Sequence, residues 1–286
     1  MAGGAQTRAA IAAQPEWLRG VPTDRRLPHG RVLHTGCGTS FHAAQTGGNA
    51  VQALDFVLAP READVLVLVS HEGETPLTLE AARAFDGLRW LVTGAAESPL
   101  AELCDEVVVC TPAIEESWCH TASYTCAVAA LAALRGEDVS WLPEAVARAI
   151  DQREPVSAHE RWLVAGAGPE WPTAQEAVLK LREGAHVAAE AHQTEQLLHG
   201  HLAAIDETVR AYVLEGEGRA AERAHDAAAA LRELGCETTL VPTRHPVVDI
   251  VRFQLLTVDL AESRGVDPDR IRRDDERWAR ARAAYE

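Results

Sequence analysis

Lysine is all but missing from this chain of 286 residues: of its 27 basic side chains, 26 are arginines and only Lys180 is a lysine. Arginine stays charged in proteins, whereas a lysine amine can shift its pKa, lose its proton and attack a carbonyl. Any imine formed between a substrate and a side chain of this protein must therefore pass through Lys180. Cations are also outnumbered, and the formal net charge of −16 argues against nucleic acid or an anionic membrane surface as a partner. The start, Met1 to Arg8, has no apolar signal core, and no uninterrupted apolar run is long enough to span a bilayer, so a cytoplasmic protein is expected. The six cysteines (37, 104, 110, 119, 126, 236) form no CxxC pair and no zinc-ligand spacing. They read as free, mostly buried thiols and exclude a disulfide framework.

What remains is the composition of a globular protein, 47% hydrophobic and 24% charged, long enough for two domains. Short β-branched runs predict strands at 31–35, 64–69, 89–92 and 106–110, and again at 161–165, 208–214 and 237–241. Ala/Leu-rich stretches predict helices at 40–54, 75–85, 120–134, 142–152, 174–190, 219–234 and 248–264. This alternation is that of an α/β protein with parallel sheets flanked by helices. The pattern Arg31-x-Leu33-x-x-Gly36-x-Gly38 returns as Arg161-x-Leu163-x-x-Gly166-x-Gly168, with Ala44-Gln45 answered by Ala174-Gln175. Two similar halves are expected, residues 1–150 with an N-terminal helix and residues 151–286 with a C-terminal tail.

Gly36-Cys37-Gly38-Thr39-Ser40 follows a strand and opens a helix, and Ser70-His71-Glu72-Gly73-Glu74-Thr75 ends the next strand. Two such turns at neighbouring strand ends form a cup at the carboxyl edge of a sheet, where α/β folds bind ligands. In the second half, Glu176, Lys180 and Glu183 stand at i, i+4 and i+7 on one helix face. They either line a cleft or form a stabilising ion pair. His199-Gly200-His201 lacks a third ligand at suitable spacing, so no metal is expected. A Glu and a His in one cleft can instead shuttle protons near neutral pH.

At this point the residues resemble a family. Gln14-Pro15, the two turns above, Glu115 to Thr125, Glu176-x-x-x-Lys180-Leu181-x-Glu183 and Ala189-Glu190-Ala191 occur in the order found in the sugar isomerase (SIS) family. So do Leu197-x-His199-Gly200-x-Leu202-Ala203-x-Ile205-Asp206 and the tail Arg264-Gly265-Val266-Asp267-Pro268-Asp269. The form resembled carries two SIS domains in one chain, as in the isomerase half of glucosamine-6-phosphate synthase. The resemblance implies a flavodoxin-like three-layer αβα fold in each half and a sugar or sugar phosphate as ligand. It implies that Ser40, Ser70 and Thr75, with Gly38 and Thr39 in the turn, hold the far end of the sugar. Glu183 would move a proton between C1 and C2. His199 would assist ring opening from the partner subunit of a homodimer. Aldose–ketose isomerisation and amino-sugar deamination or deglycation both remain open, with a non-catalytic carbohydrate-binding sensor as the alternative. No cofactor is implied.

The chain departs from the family in three places. No glutaminase half precedes the SIS region, so glutamine-dependent synthesis is not expected. The C-terminal imine-forming lysine has no counterpart, and alignment puts Glu276 at its place. Lys180 is then expected to orient substrate oxygens beside Glu176, with no imine. The cup is altered too: His71-Glu72 stand where relatives carry Gln-Ser. A carboxylate about 4 Å from one phosphate charge costs about 4 kcal/mol at an effective dielectric near 20. Either Glu72 points away, or His71 neutralises it, or the ligand has no phosphate there. Trp118 and His120 replace small residues, either reshaping the sugar pocket or repacking a drifted core. Borohydride reduction in the presence of sugar is expected to leave the protein unmodified by mass spectrometry; a stable adduct on Lys180 would overturn the non-covalent expectation.

Overall fold

The computed structural model describes residues 3–285. In chain order the elements are α1 (Ala5–Arg19), β1 (Val32–Gly36), α2 (Thr39–Thr46), β2 (Ala50–Gln52), α3 (Ala53–Leu58), β3 (Val65–Val69), α4 (Pro76–Arg83), β4 (Leu88–Thr93) and β5 (Glu106–Val109). They continue with α5 (Ala122–Leu134), α6 (Leu142–Ile150), β6 (Arg161–Gly166), α7 (Trp171–Ala185), β7 (Ala188–Gln193), α8 (Thr194–Leu198) and β8 (Val209–Leu214). The last four are α9 (Arg219–Glu233), β9 (Glu237–Val241), α10 (Pro246–Arg264) and α11 (Glu276–Arg282).

Two parallel sheets result, ordered β2-β1-β3-β4-β5 and β7-β6-β8-β9. Parallel strands require crossover connections, so helices cover both faces, and the central strand β3 becomes a continuous apolar run. In β3, Val65, Val67 and Val69 face one layer, with α5 and α10, while Leu66 and Leu68 face the other, with α3 and α4. In β6, Trp162 and Val164 join that same first layer, while Leu163 and Ala165 pack under α9. The expected three-layer α/β architecture is therefore present in both halves. The strands of the first sheet precede residue 150 and those of the second follow it, but the main core draws on both. Helix α5 lies within this shared layer, and every one of its residues is buried. Among the described residues, no helix is long and apolar enough to cross a membrane.

The sequence repeat is a structural one. Gly38 and Gly168, both at the turn leaving the first strand of a half, have φ of 54° and 58°. That left-handed backbone strains residues with a Cβ and lets the chain reverse into the following helix.

Two expected helices are shorter than their composition suggests. The stretch 40–54 breaks after Thr46, where Gly48 turns at φ 113°, and residues 50–52 pair with β1 instead. The stretch 174–190 ends at Ala185 with His186 in the left-handed region, and 188–193 pair with β6. Both new strands are sheet edges. There a short or alanine-rich segment pairs because a partner ladder is available, not because its own propensity is high.

The tail beyond α10 returns to the start of the chain. Gly4, which begins α1, has no side chain to cap it, and Asp267 and Asp269 supply the acceptors. Asp269 takes bonds from the Gln6 N–H (3.0 Å), the Thr7 N–H (2.7 Å) and the Thr7 hydroxyl (2.6 Å). Carboxylates at a helix N-terminus satisfy orphan donors and complement the dipole. Because Asp269 and Thr7 are buried, Asp269→Ala is expected to cost about 2–4 kcal/mol in urea unfolding; a loss under about 0.5 kcal/mol would show that the tail is not fastened this way.

Candidate active site

At the carboxyl edge of the first sheet the two turns converge. The first brings Thr39 and Ser40 to the start of α2, and the second holds Ser70 and Thr75 before α4. The Ser70 hydroxyl accepts from the Gly73 N–H at 3.2 Å and lies 3.5 Å from the Thr75 hydroxyl. A cavity of about 280 Å³ opens here, and Thr39, Ser40, Ser70, His71, Glu72, Thr75, Trp118, His120 and Glu183 all line it. Nine of the sequence-predicted contacts thus meet in one cleft. Gly38 shapes the turn and is not part of the wall.

His71 does not neutralise Glu72. Its Nε2 accepts the Glu115 N–H at 2.9 Å, and burial lowers its pKa to about 4, so the ring is neutral. His120 packs edge-on against it at 5.3 Å between ring centroids. Burial first, then the charge of Lys180, the His71 ring and the charge of Arg273, lower His120 to about 3. The loop carrying Trp118 and His120 is held by Glu115, whose buried carboxylate accepts from Thr121 N and Oγ1 and from Ser123 N, each at 2.8 Å. Glu72 stays on the cleft wall with no ion pair to a cation among the described residues.

Glu183 reaches the cleft from α7, but the rest of its helix face does not. Lys180 and Glu176 are fully buried behind the wall. Lys180 Nζ donates to Glu183 Oε2 at 2.9 Å and to the Thr39 hydroxyl at 3.2 Å, and lies 3.4 Å from Glu176 Oε1. Thr39 in turn donates to Glu176 Oε1 at 3.1 Å, and His42 Nδ1 meets Glu176 Oε2 at 2.7 Å. Burial alone would lower the Lys180 pKa, yet the charges of Glu183 and Glu176 raise it well above its ordinary value. The expectation that Lys180 and Glu176 touch substrate is therefore corrected. The amine is a locked ammonium, paired with Glu176 and bonded to Glu183 and Thr39, the two residues that do line the cleft.

His199 lies outside the cleft of its own chain. It follows α8, its side chain is 73% exposed, and its Nε2 pairs with Glu195 at 2.9 Å. Glu276, which alignment puts at the place of the missing lysine, stays out of the cleft: it begins α11 with a 96% exposed side chain. The tail residue that enters the cleft is Arg273, three positions earlier, with Ile271 beside it. Its guanidinium lies 3.6 Å from the centre of the Trp118 ring. Sequence reading sought a lysine and passed over it; a cation in the basic run 270–273 was the available signal. Among the described residues, no cluster of three or more His, Cys, Asp or Glu is arranged to hold a metal ion.

No family model matches the chain. It is 27% identical over 308 residues to the isomerizing glutamine–fructose-6-phosphate aminotransferase of Gloeobacter violaceus, an alignment covering 85% of this chain and 50% of that protein. The chain spans about half the length of the curated relatives it matches. Among solved structures, the C-terminal domain of glucosamine-fructose-6-phosphate aminotransferase from Francisella tularensis superposes with a TM-score of 0.78, at 20% identity, over 92% of this chain and 97% of that one. Glucosamine-6-phosphate deaminase from Thermotoga maritima gives 0.75, also at 20% identity, over 93% and 97%. These likenesses bear out the resemblance to the sugar isomerase family and its fold.

The neutral state of His71 has a consequence for stability. An unfolded chain binds a proton at this residue near the ordinary 6.5, the folded one only near 4. Its contribution is therefore complete above pH 6.5 and is lost as the pH falls toward 4. His71→Gln, which keeps an acceptor and cannot titrate, is expected to lose less stability than the parent between pH 6.5 and 4 in urea titrations; equal slopes would place the imidazole in contact with water.

Proposed function

We propose that this chain is a sugar isomerase or amino-sugar deaminase that moves a proton between C1 and C2 of an open-chain carbohydrate derivative, with Glu183 as the base. The observation that carries this reading is the meeting of one carboxylate from the second half with three hydroxyls from the first half in a single cleft. Ser40, Ser70 and Thr75 suit the far end of a sugar, since hydroxyls donate to and accept from its oxygens without a fixed charge. Glu183 suits the reacting end. Its carboxylate is held on one side by Lys180, which leaves the other oxygen for a proton on carbon. The relatives support the same chemistry: one is named an isomerizing aminotransferase and another a glucosamine-6-phosphate deaminase.

Glu72 tunes the choice of ligand. With His71 neutral and engaged elsewhere, its carboxylate favours a sugar hydroxyl as neighbour and opposes a phosphate placed against it. Thr39 takes a second role, joining the cleft wall to the buried ammonium. We assign Lys180 and Glu176 to holding Glu183 and Thr39 in place, and Trp118 and His120 to closing the reacting end.

His199 is proposed to act in a homodimer. An exposed imidazole outside its own cleft can serve as ring-opening acid and base for a neighbouring copy. The test uses solvent deuterium incorporation at C1 or C2, followed by NMR, over free and phosphorylated fructose and glucosamine. Glu183→Gln is expected to lower exchange by about 10²–10⁴-fold, the usual worth of a general base. Mixing inactive Glu183→Gln and His199→Ala proteins should restore about a quarter of the parent rate through mixed dimers. Ligand-induced stabilisation of the parent without any exchange would make it a carbohydrate-binding sensor instead. Exchange without complementation would place the ring-opening group in the same chain.

A further inference from the structure

Proton removal from a carbon beside a carbonyl leaves negative charge on oxygen, and a water-poor site must supply a fixed positive group for it. The cleft is poor in such groups. Its acidic and basic side chains are Glu72, Glu74, Glu183, two half-buried imidazoles and one guanidinium, that of Arg273. Both imidazoles are neutral, and the Lys180 ammonium lies behind the wall, engaged by Glu176, Glu183 and Thr39. Arg273 is thus the one cation on the cleft wall among the described residues.

Its placement is built in by the fold. The chain just before it takes left-handed backbone angles at Ile271 (φ 41°) and Arg272 (φ 59°). Such angles are strained for residues with a Cβ and persist only where the surroundings enforce them. The enforcing contacts are present on both sides. Arg272 Nε bonds His186 Nδ1 at 3.1 Å, which ties the tail to the end of α7 just beyond Glu183. The Asp269 carbonyl accepts the Trp118 N–H at 3.1 Å, which ties it to the loop of His120. The guanidinium then stacks on Trp118, and its Nε is buried with no hydrogen-bond partner. A guanidinium on the cleft wall with no hydrogen bond or ion pair among the described residues, at the end of a strained, doubly fastened segment, is arranged for an acceptor that arrives with a ligand.

We propose that Arg273 is a catalytic residue whose guanidinium holds the sugar oxygen that becomes negative when Glu183 takes the proton from the adjacent carbon. This rests on the reading of the cleft as a sugar isomerase or deaminase site. In the isomerisation, the electron pair of the C–H bond forms the carbon–carbon double bond, and the carbonyl π pair moves onto its oxygen beside Arg273. The proton on Glu183 then passes to the former carbonyl carbon, while the proton of the neighbouring hydroxyl transfers to the enediolate oxygen that Arg273 held. No bond to the protein forms and no redox partner is needed. An always-charged, planar guanidinium supplies electrostatic stabilisation where an amine would be free to form an imine.

The experiment measures deuterium incorporation in D₂O with fructose 6-phosphate, glucosamine 6-phosphate and their unphosphorylated forms. For Arg273→Gln, kcat is expected to fall by about 10²–10³-fold, the worth of one oxyanion donor, with KM changed by much less. Arg273→Lys should keep part of the rate, and free guanidinium ion should restore part of that lost in Arg273→Ala. Thermal unfolding of each variant near the parent value keeps a rate loss from being a folding defect. Exchange by Arg273→Gln within about threefold of the parent, or a rise in KM at unchanged kcat, overturns the role of Arg273 and leaves the function intact. Absence of exchange in the parent with every probe overturns the function and this inference together.

Discussion

A fully buried ammonium flanked by two carboxylates is the constraint around which this site is organised. Lys180 sits with no exposure between Glu176 and Glu183, and its remaining donor goes to Thr39 on the other half of the chain. Removing charges from water costs several kcal/mol each, and breaking one partner of such a group typically costs about 3–5 kcal/mol. The network is therefore held as a unit. It fixes α7 against the start of α2, and through Thr39 and Glu183 it sets both ends of the cleft wall. His42, bonded to the second oxygen of Glu176, extends the same lock along α2.

The second constraint is the C-terminal tail. Its acidic residues do for α1 what α1's own glycine start does not, capping the first turn with two carboxylates. The same few residues fasten to the loop of Trp118 and to His186 at the end of α7. One segment therefore joins the chain's beginning, the wall of the first half and the helix bearing Glu183. Helix N-termini need acceptors, and here the acceptors come from more than 260 residues away.

Much of this was written locally. The strand run at β3 is apolar because both faces are covered, and that pattern is visible without coordinates. The glycine turns at 36–38 and 166–168 are legible because a left-handed backbone angle calls for glycine. The edge strands β2 and β7 were not legible. Their residues carry helical or neutral preferences, and they pair only because β1 and β6 offer an open ladder.

The same division holds within the site. The hydroxyl turns and the spacing of Glu176, Lys180 and Glu183 were visible by themselves as candidates, and the family resemblance gave them roles, since residue type and helical period are local properties. Which of those residues faces the cleft was decided by tertiary packing alone. Lys180, the single amine in a chain of arginines, is turned inward, while Arg273, unremarkable in a basic stretch, is turned into the cleft. Burial and charge pairing depend on what the rest of the chain brings alongside, and no reading of neighbours in sequence contains that information.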